Sequence, residues 1–174
     1  MAAFDRARVA ELLRLAGIRL TGEWLLVGGA AAACWFAPER TTEDLDLIGF
    51  GGSQAERFAL MELAADAAIP IEAVNSAADF FVRKIPDWRD QLVELHRGPG
   101  ATIFRPNATL FVLLKLGRLT ETDLSDCTLL VEHLAGSGEA IDRDRVLAAL
   151  DALPETTASA LVERRARLRT AVTQ

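Results

Sequence analysis

LLVGGAAAACWFAPERTTEDLDLI, residues 25–48, is the stretch on which the fold turns. An apolar run over 23–27 ends at Gly28 and Gly29, and residues 30–36 have helix-favouring composition up to Pro38. TEDLDLI, 42–48, then alternates, with Asp44 and Asp46 on one face and Leu45 and Leu47 on the other. The window reads as strand, glycine turn, helix, strand. Two carboxylates at i and i+2 on a strand have Cα atoms about 6.5 Å apart and repel unless a proton or cation stands between them. The usual cation is a hard divalent ion such as Mg²⁺. Gly28–Gly29 lets the backbone approach an anion at the positive end of the following helix. Taken singly, the pair also reads as a solvated strand face, and the glycines as a turn needing positive φ.

Outward from this window, residues 3–16 set Phe4, Val9, Leu12, Leu13 and Leu15 along a helical stripe, with Gly17 as a stop. Gly49, Gly51 and Gly52 break the chain before a helix over 55–68, and 70–75 reads as a strand carrying Glu72. Short strands are expected over 80–82, 92–95 and 101–104, separated by Pro86, Asp87, Gly98, Pro99 and Gly100. After Pro106 the texture becomes helical, over 108–119, 123–134, 143–153 and 156–171. The expectation is an α+β fold, with an α/β core over 1–105 and a helical C-terminal subdomain over 106–174.

The 174 residues suit one core with a small appendage, and 51% apolar with 25% charged residues exclude a disordered or collagen-like chain. Nineteen basic and 25 acidic residues leave a charge of -6, so no global field draws the chain to nucleic acid or anionic lipid. The longest apolar run, 24–36 with two glycines, is shorter than the roughly 20 residues of a membrane span. Asp5, Arg6, Arg8, Glu11 and Arg14 interrupt the N-terminal segment, which does not read as a signal peptide. Cys34 and Cys127 form no CxxC pair, and a reducing cytoplasm is the expected compartment, with no membrane partner. His96 and His133 lack ligands at zinc spacing, and Trp24, Trp35 and Trp88 read as packing residues. The last helix, with Arg164, Arg165, Arg167 and Arg169, reads as a solvated surface helix ahead of an RNA contact.

The window from 25 to 48, joined to ADFFVRKIPDWRDQLVEL (78–95) and LLKLGRLTETDLSDC (113–127), resembles the nucleotidyltransferase superfamily with the DNA polymerase β-type fold. Within it the chain is most similar to small bacterial AbiEii-like proteins, whose members include nucleotidyltransferase toxins of toxin–antitoxin systems. The likeness covers most of 24–130; the last forty or so residues carry no such motif. The fourteen residues between Gly29 and Asp44 are at the long end of the superfamily's spacing.

The resemblance implies a nucleotidyltransferase-type mixed sheet flanked by helices, with the helical subdomain closing one side of a nucleotide cleft. It makes Gly28 and Gly29 the phosphate-side turn, and Asp44 and Asp46 ligands of catalytic Mg²⁺. A third carboxylate from a neighbouring strand is expected, with Glu72 the candidate and Asp79 the fallback. Lys115 and Arg118, three apart on a helix, are expected at the β- and γ-phosphates. Asp123 and Asp126 engage that basic pair or a substrate, with a helix-start acid as the alternative for Asp123. Arg40 and Thr42 contact phosphate or orient Asp44, with loop solvation as their alternative. The implied activity moves a nucleoside monophosphate from an NTP to an acceptor hydroxyl on tRNA, protein or a small molecule, with an antitoxin as a further partner. The competing class is a non-catalytic module of the same fold, an antitoxin or regulatory subunit binding a protein through its acidic face.

Overall fold

The computed structural model describes residues 3–174. The chain is α+β and divides into two compact units, one ending at Pro106 and the other Asn107–Gln174. The first contains, in order, α1 (Arg6–Arg19), β1 (Gly22–Val27), α2 (Gly28–Trp35), β2 (Leu45–Gly49), α3 (Gln54–Asp66), β3 (Val74–Asn75), α4 (Asp79–Val82), β4 (Leu92–Arg97) and β5 (Ala101–Pro106). The strands form one mixed sheet in the order β3-β2-β1-β5-β4. β1 runs antiparallel to β2 and parallel to β5.

The central position of β1 explains its unbroken apolar run, since Trp24, Leu25, Leu26 and Val27 are all buried. On one sheet face Trp24, Leu26, Leu45, Leu47 and Ile103 share a core with Val9, Leu12, Leu13 and Ala16 of α1 and Leu60, Leu63 and Ala64 of α3. Asp5 caps α1, accepting from Arg8 N at 2.8 Å, and Ser53 with Glu56 forms a capping box on α3.

Several sequence expectations are corrected. α1 starts at Arg6 and runs through Gly17, where a stop was expected. A Cβ on Gly17 would lie 2.7 Å from His96 Nε2, and one on Gly98 would meet the Gly17 backbone. Gly17 is therefore a close-approach glycine that seats α1 on the β4–β5 turn, where Gly100 N donates to Gly17 O at 2.9 Å. Phe4 lies outside the helix and bridges to Thr42 through two backbone hydrogen bonds of 2.6 and 3.0 Å. β2 begins at Leu45, so Asp44 precedes the strand.

The strand expected over 70–75 is reduced to Val74–Asn75, because Ala73 N donates to Pro70 O at 3.0 Å and turns Ile71–Ala73 into a 3₁₀ turn. Residues 80–82 are helical rather than extended. Phe80 and Phe81 remain exposed and only Val82 is buried, and Asp79 pairs with Arg83 one turn on at 2.7 Å.

The second unit holds α5 (Ala108–Leu116), α6 (Glu121–Ser137), α7 (Arg143–Asp151) and α8 (Ser159–Thr173). Asn107, Thr120 and Asp142 cap the first three. α5 packs on α6 and α7, and α8 on α6 and α7. The arginines of α8 are used within this unit: Arg164 donates to Leu119 O at 2.6 Å, Arg165 to Pro154 O at 2.8 Å, Arg167 to Glu121 at 3.4 Å, and Arg169 pairs with Asp151. Among the described residues, no helix is long and apolar enough to cross a membrane.

Candidate functional site

The glycine turn and the acidic strand meet because β1 and β2 are antiparallel neighbours, with Val27 opposite Asp46. Val27 is extended, Gly28 takes φ +70°, and α2 begins there. A Cβ on Gly28 would stand 2.7 Å from Asp46 Oδ2. One on Gly29 would stand 3.0 Å from Thr42 Oγ1 and 3.3 Å from Arg40 Nη2. Gly28, Gly29, Arg40, Thr42 and Asp46 therefore converge at one place, the N-terminus of an eight-residue helix.

Thr42 is held there by its bridge to Phe4, and its Oγ1 donates to the Asp44 carbonyl oxygen at 3.1 Å. Arg40 Nη1 donates to Thr41 O at 2.7 Å. Asp46 is half-buried, on the sheet face opposite Leu45 and Leu47, and Asp44 is exposed. Positive helix end, guanidinium, hydroxyl and the Asp46 carboxylate thus face one small volume.

The third carboxylate is placed differently from the expectation. Glu72 is exposed in the 3₁₀ turn before β3, and the residue in register with Asp46 on that strand is Asn75. Asn75 Oδ1 accepts from Ala77 N at 3.0 Å. Asp79 is bound to Arg83, which also donates to Gly49 O at 3.1 Å, at the opposite end of β2. Among the described residues, no three His, Cys, Asp or Glu side chains gather around a point where one metal ion could sit. Asn75 was not singled out from the sequence; Pro70 was the signal that Glu72 belonged to a turn.

In the helical unit, Lys115 is buried at 8% exposure, and its Nζ donates to Asp123 Oδ1 at 2.8 Å and Asp126 Oδ2 at 3.2 Å. Arg118 donates to both oxygens of Asp123, at 3.1 and 3.2 Å, while its own side chain is 75% exposed. Asp123 also accepts from Thr120 N and Oγ1, closing a capping box on α6. Burial works to raise the Asp123 carboxyl, but hydrogen bonds from Arg118, Lys115 and Thr120 outweigh it and hold the group well below the usual carboxylate range. Asp123 and Asp126 thus engage the basic pair, and Asp123 also starts the helix.

Burial pushes the Cys127 thiol, next to this cluster, up to about 12. Cys127 in the native protein is therefore expected to react with iodoacetamide at pH 8 at least ~1,000-fold more slowly than a free thiol. Peptide mapping after timed labelling checks this, and alkylation of native Cys127 at the free-thiol rate would contradict the packing around α6.

Compared with protein-family models, with curated proteins and with solved structures, the chain matches none of them.

Proposed function

We propose that the first unit binds a nucleoside triphosphate with Mg²⁺ and, in the manner of the nucleotidyltransferase fold it resembles, transfers a nucleoside monophosphate to an acceptor hydroxyl. The supporting observation is the convergence of Asp46, Thr42 and Arg40 on Gly28–Gly29. A phosphate and the Asp46 carboxylate are both drawn to the positive end of α2, and two anions share that place only with a cation between them. Asp46 and Asp44 supply oxygen donors, the type that Mg²⁺ takes together with substrate phosphates. When bound, the ion neutralises phosphate charge and lowers the barrier to displacement. The chain's own residues do the rest: Gly28 and Gly29 admit phosphate oxygens to the backbone N–H groups, Arg40 adds a fixed positive charge, and Thr42 holds the segment carrying Asp44.

In the reaction the acceptor oxygen bonds to the α-phosphorus, the α–β bridging bond breaks, and pyrophosphate leaves. The acceptor class is a hydroxyl of tRNA, protein or a small molecule, and the cellular role in keeping with the resemblance is that of a toxin countered by an antitoxin. Lys115 is assigned to holding the helical unit together, since its ammonium already serves two buried carboxylates. Asn75, an amide where a third carboxylate would complete a catalytic set, favours a second reading, a module that binds nucleotide without turning it over.

Binding of ATP, GTP, CTP and UTP with and without Mg²⁺ tests the shared part of both readings. Mg²⁺ should raise affinity at least ~10-fold in the wild type and not at all in an Asp44→Asn/Asp46→Asn double variant of unchanged melting temperature. A metal gain that survives the double substitution places the site elsewhere. Radiolabel from an NTP appearing in a component of total cell extract separates transfer from binding alone.

A further inference from the structure

Asn75 is the last residue of β3, at one edge of the sheet. The pairing on either side of it fixes the face its side chain takes. Leu45 is in register with Val74, and both belong to the core shared with α1 and α3. Asp46 and Asn75, the next pair, therefore stand together on the other face, because side chains alternate along each strand. Val27, in register with Asp46 on β1, lies on that face too, since Leu26 enters the same core. Val27, Asp46 and Asn75 thus make one row across three strands, two strand spacings or about 10 Å long, with Gly28 following Val27. The amide of Asn75 has one end committed. Ala77 N donates to its Oδ1 at 3.0 Å, and a backbone N–H can only donate, so the donor Nδ2 is the end left for a ligand. Among the described residues Nδ2 has no acceptor, and Asn75 is half-buried, within reach from outside.

We propose that Asn75 binds phosphate in the nucleotide site, its Nδ2 donating to a phosphoryl oxygen on the side of Asp46 away from Gly28. The inference rests on the nucleotide site proposed above. An amide oxygen is a ligand for a cation, but an amide N–H meets an anion, and here the oxygen is the end already engaged. Gly28–Gly29 and Asn75 flank Asp46 from its two neighbouring strands. A chain of phosphates laid along the row is therefore met by backbone N–H groups at one end and by the amide at the other. The amide is neutral, so it adds no repulsion to a place where Asp46 and phosphate already stand close.

The test compares affinities for inorganic tripolyphosphate and ATP, each with Mg²⁺, in the wild type and in Asn75→Ser and Asn75→Asp. Both substitutions keep a side-chain oxygen able to accept from Ala77 N, so the turn survives and the melting temperatures should match the wild type. Asn75→Ser withdraws the amide donor and should weaken both ligands alike, by roughly 10- to 100-fold, as expected for a lost hydrogen bond to a charged group. Asn75→Asp sets a carboxylate against phosphate and should lose more, part of it recovered as Mg²⁺ is raised. Wild-type affinity in both variants makes Asn75 a turn residue only. A loss confined to ATP puts the amide on the sugar or base, and a gain in Asn75→Asp puts the side chain on the cation. Each of these three results overturns the role of Asn75 and leaves the phosphate site standing. A wild type that binds neither ligand overturns the phosphate site and this inference with it.

Discussion

Lys115→Met should cost the helical unit ~3–5 kcal/mol, the range seen when one partner is removed from a buried ion pair. Asp123 and Asp126 are each 1% exposed, and their two hydrogen bonds to the Lys115 ammonium are 2.8 and 3.2 Å. Without that ammonium, buried negative charge loses its nearest buried counterion, and methionine fills the space without offsetting it. The loss is large against the 5–15 kcal/mol that holds a typical domain folded. Arg118→Ala should cost no more than about 1 kcal/mol, because Arg118 is largely exposed and water replaces much of what it gives Asp123.

The probe has to be chosen for the right unit. Trp24, Trp35 and Trp88 all precede Pro106, so tryptophan fluorescence reports on the sheet unit, whereas alkylation of Cys127 reports on the helical one. Denaturant titration followed by Cys127 labelling should therefore show the Lys115→Met transition at lower denaturant than the wild type.

Acid supplies a second readout whose sign separates a charge effect from a packing effect. In the wild type Asp123 is held below its ordinary value of 3.8. The stability it contributes is complete above that value and is lost as pH falls through the lower, folded-state value. In Lys115→Met, Asp123 keeps its bonds from Arg118 and Thr120 but loses the ammonium while burial still opposes its charge, so its folded-state value rises and the stability gap between variant and wild type should narrow as pH falls through the ordinary carboxylate range. A loss below ~1 kcal/mol, or one with no pH dependence, would mean that the ammonium is a passenger in this cluster.

The elements that were legible in the sequence are those whose local and tertiary demands agree. Val27 into Gly28–Gly29 could be read because an apolar strand, a glycine at φ +70° and an alanine-rich helix all suit the same backbone path. Leu45, Asp46 and Leu47 could be read because the two leucines enter the core and Asp46 does not. The meeting of Lys115 with Asp123 and Asp126 was among the alternatives the resemblance implied, and the two acids, three positions apart, reach it from one face of α6.

What escaped depends on partners distant in sequence. Gly17 looks like a helix stop until the β4–β5 turn is laid against it, and Phe4 belongs with a helical stripe until its backbone pairs with Thr42. FFV at 80–82 has strand-like composition, yet two of its three side chains stay exposed and a one-turn ion pair decides for helix. Glu72 shows the cost of counting alternation through a proline: the turn at Ile71–Ala73 leaves only Val74–Asn75 in the strand, and Asn75 takes the position beside Asp46.

Gly28→Ala should abolish Mg²⁺-dependent nucleotide affinity, a loss of at least ~100-fold, while lowering stability by roughly 1–3 kcal/mol. Two separate demands meet at this position. Its φ of +70° is costly for any residue with a Cβ, and the added carbon would stand 2.7 Å from Asp46 Oδ2, closer than real Cβ contacts come. The backbone of β1 and β2 is fixed by the Val27–Asp46 pairing, so the freedom to relieve the contact belongs to the short Asp46 side chain. That carboxylate should swing away from the turn, separating the oxygen donor from the backbone N–H groups that have to act with it. The structural cost is then modest and the functional one severe. Gly29→Ala provides the comparison, since Gly29 does not take positive φ and its Cβ would meet Thr42 Oγ1 at 3.0 Å, a contact that a small shift relieves. It should bind nucleotide more weakly than the wild type but keep a response to Mg²⁺. A double-mutant cycle between Gly28→Ala and Asp46→Asn measures the coupling directly. If the carboxylate acts only beside an open Gly28, the two losses should fail to add, the double variant binding nucleotide no more weakly than either single one. Fully additive losses, or a Gly28→Ala protein that binds nucleotide as the wild type does, would show that the turn and the carboxylate do not form one site.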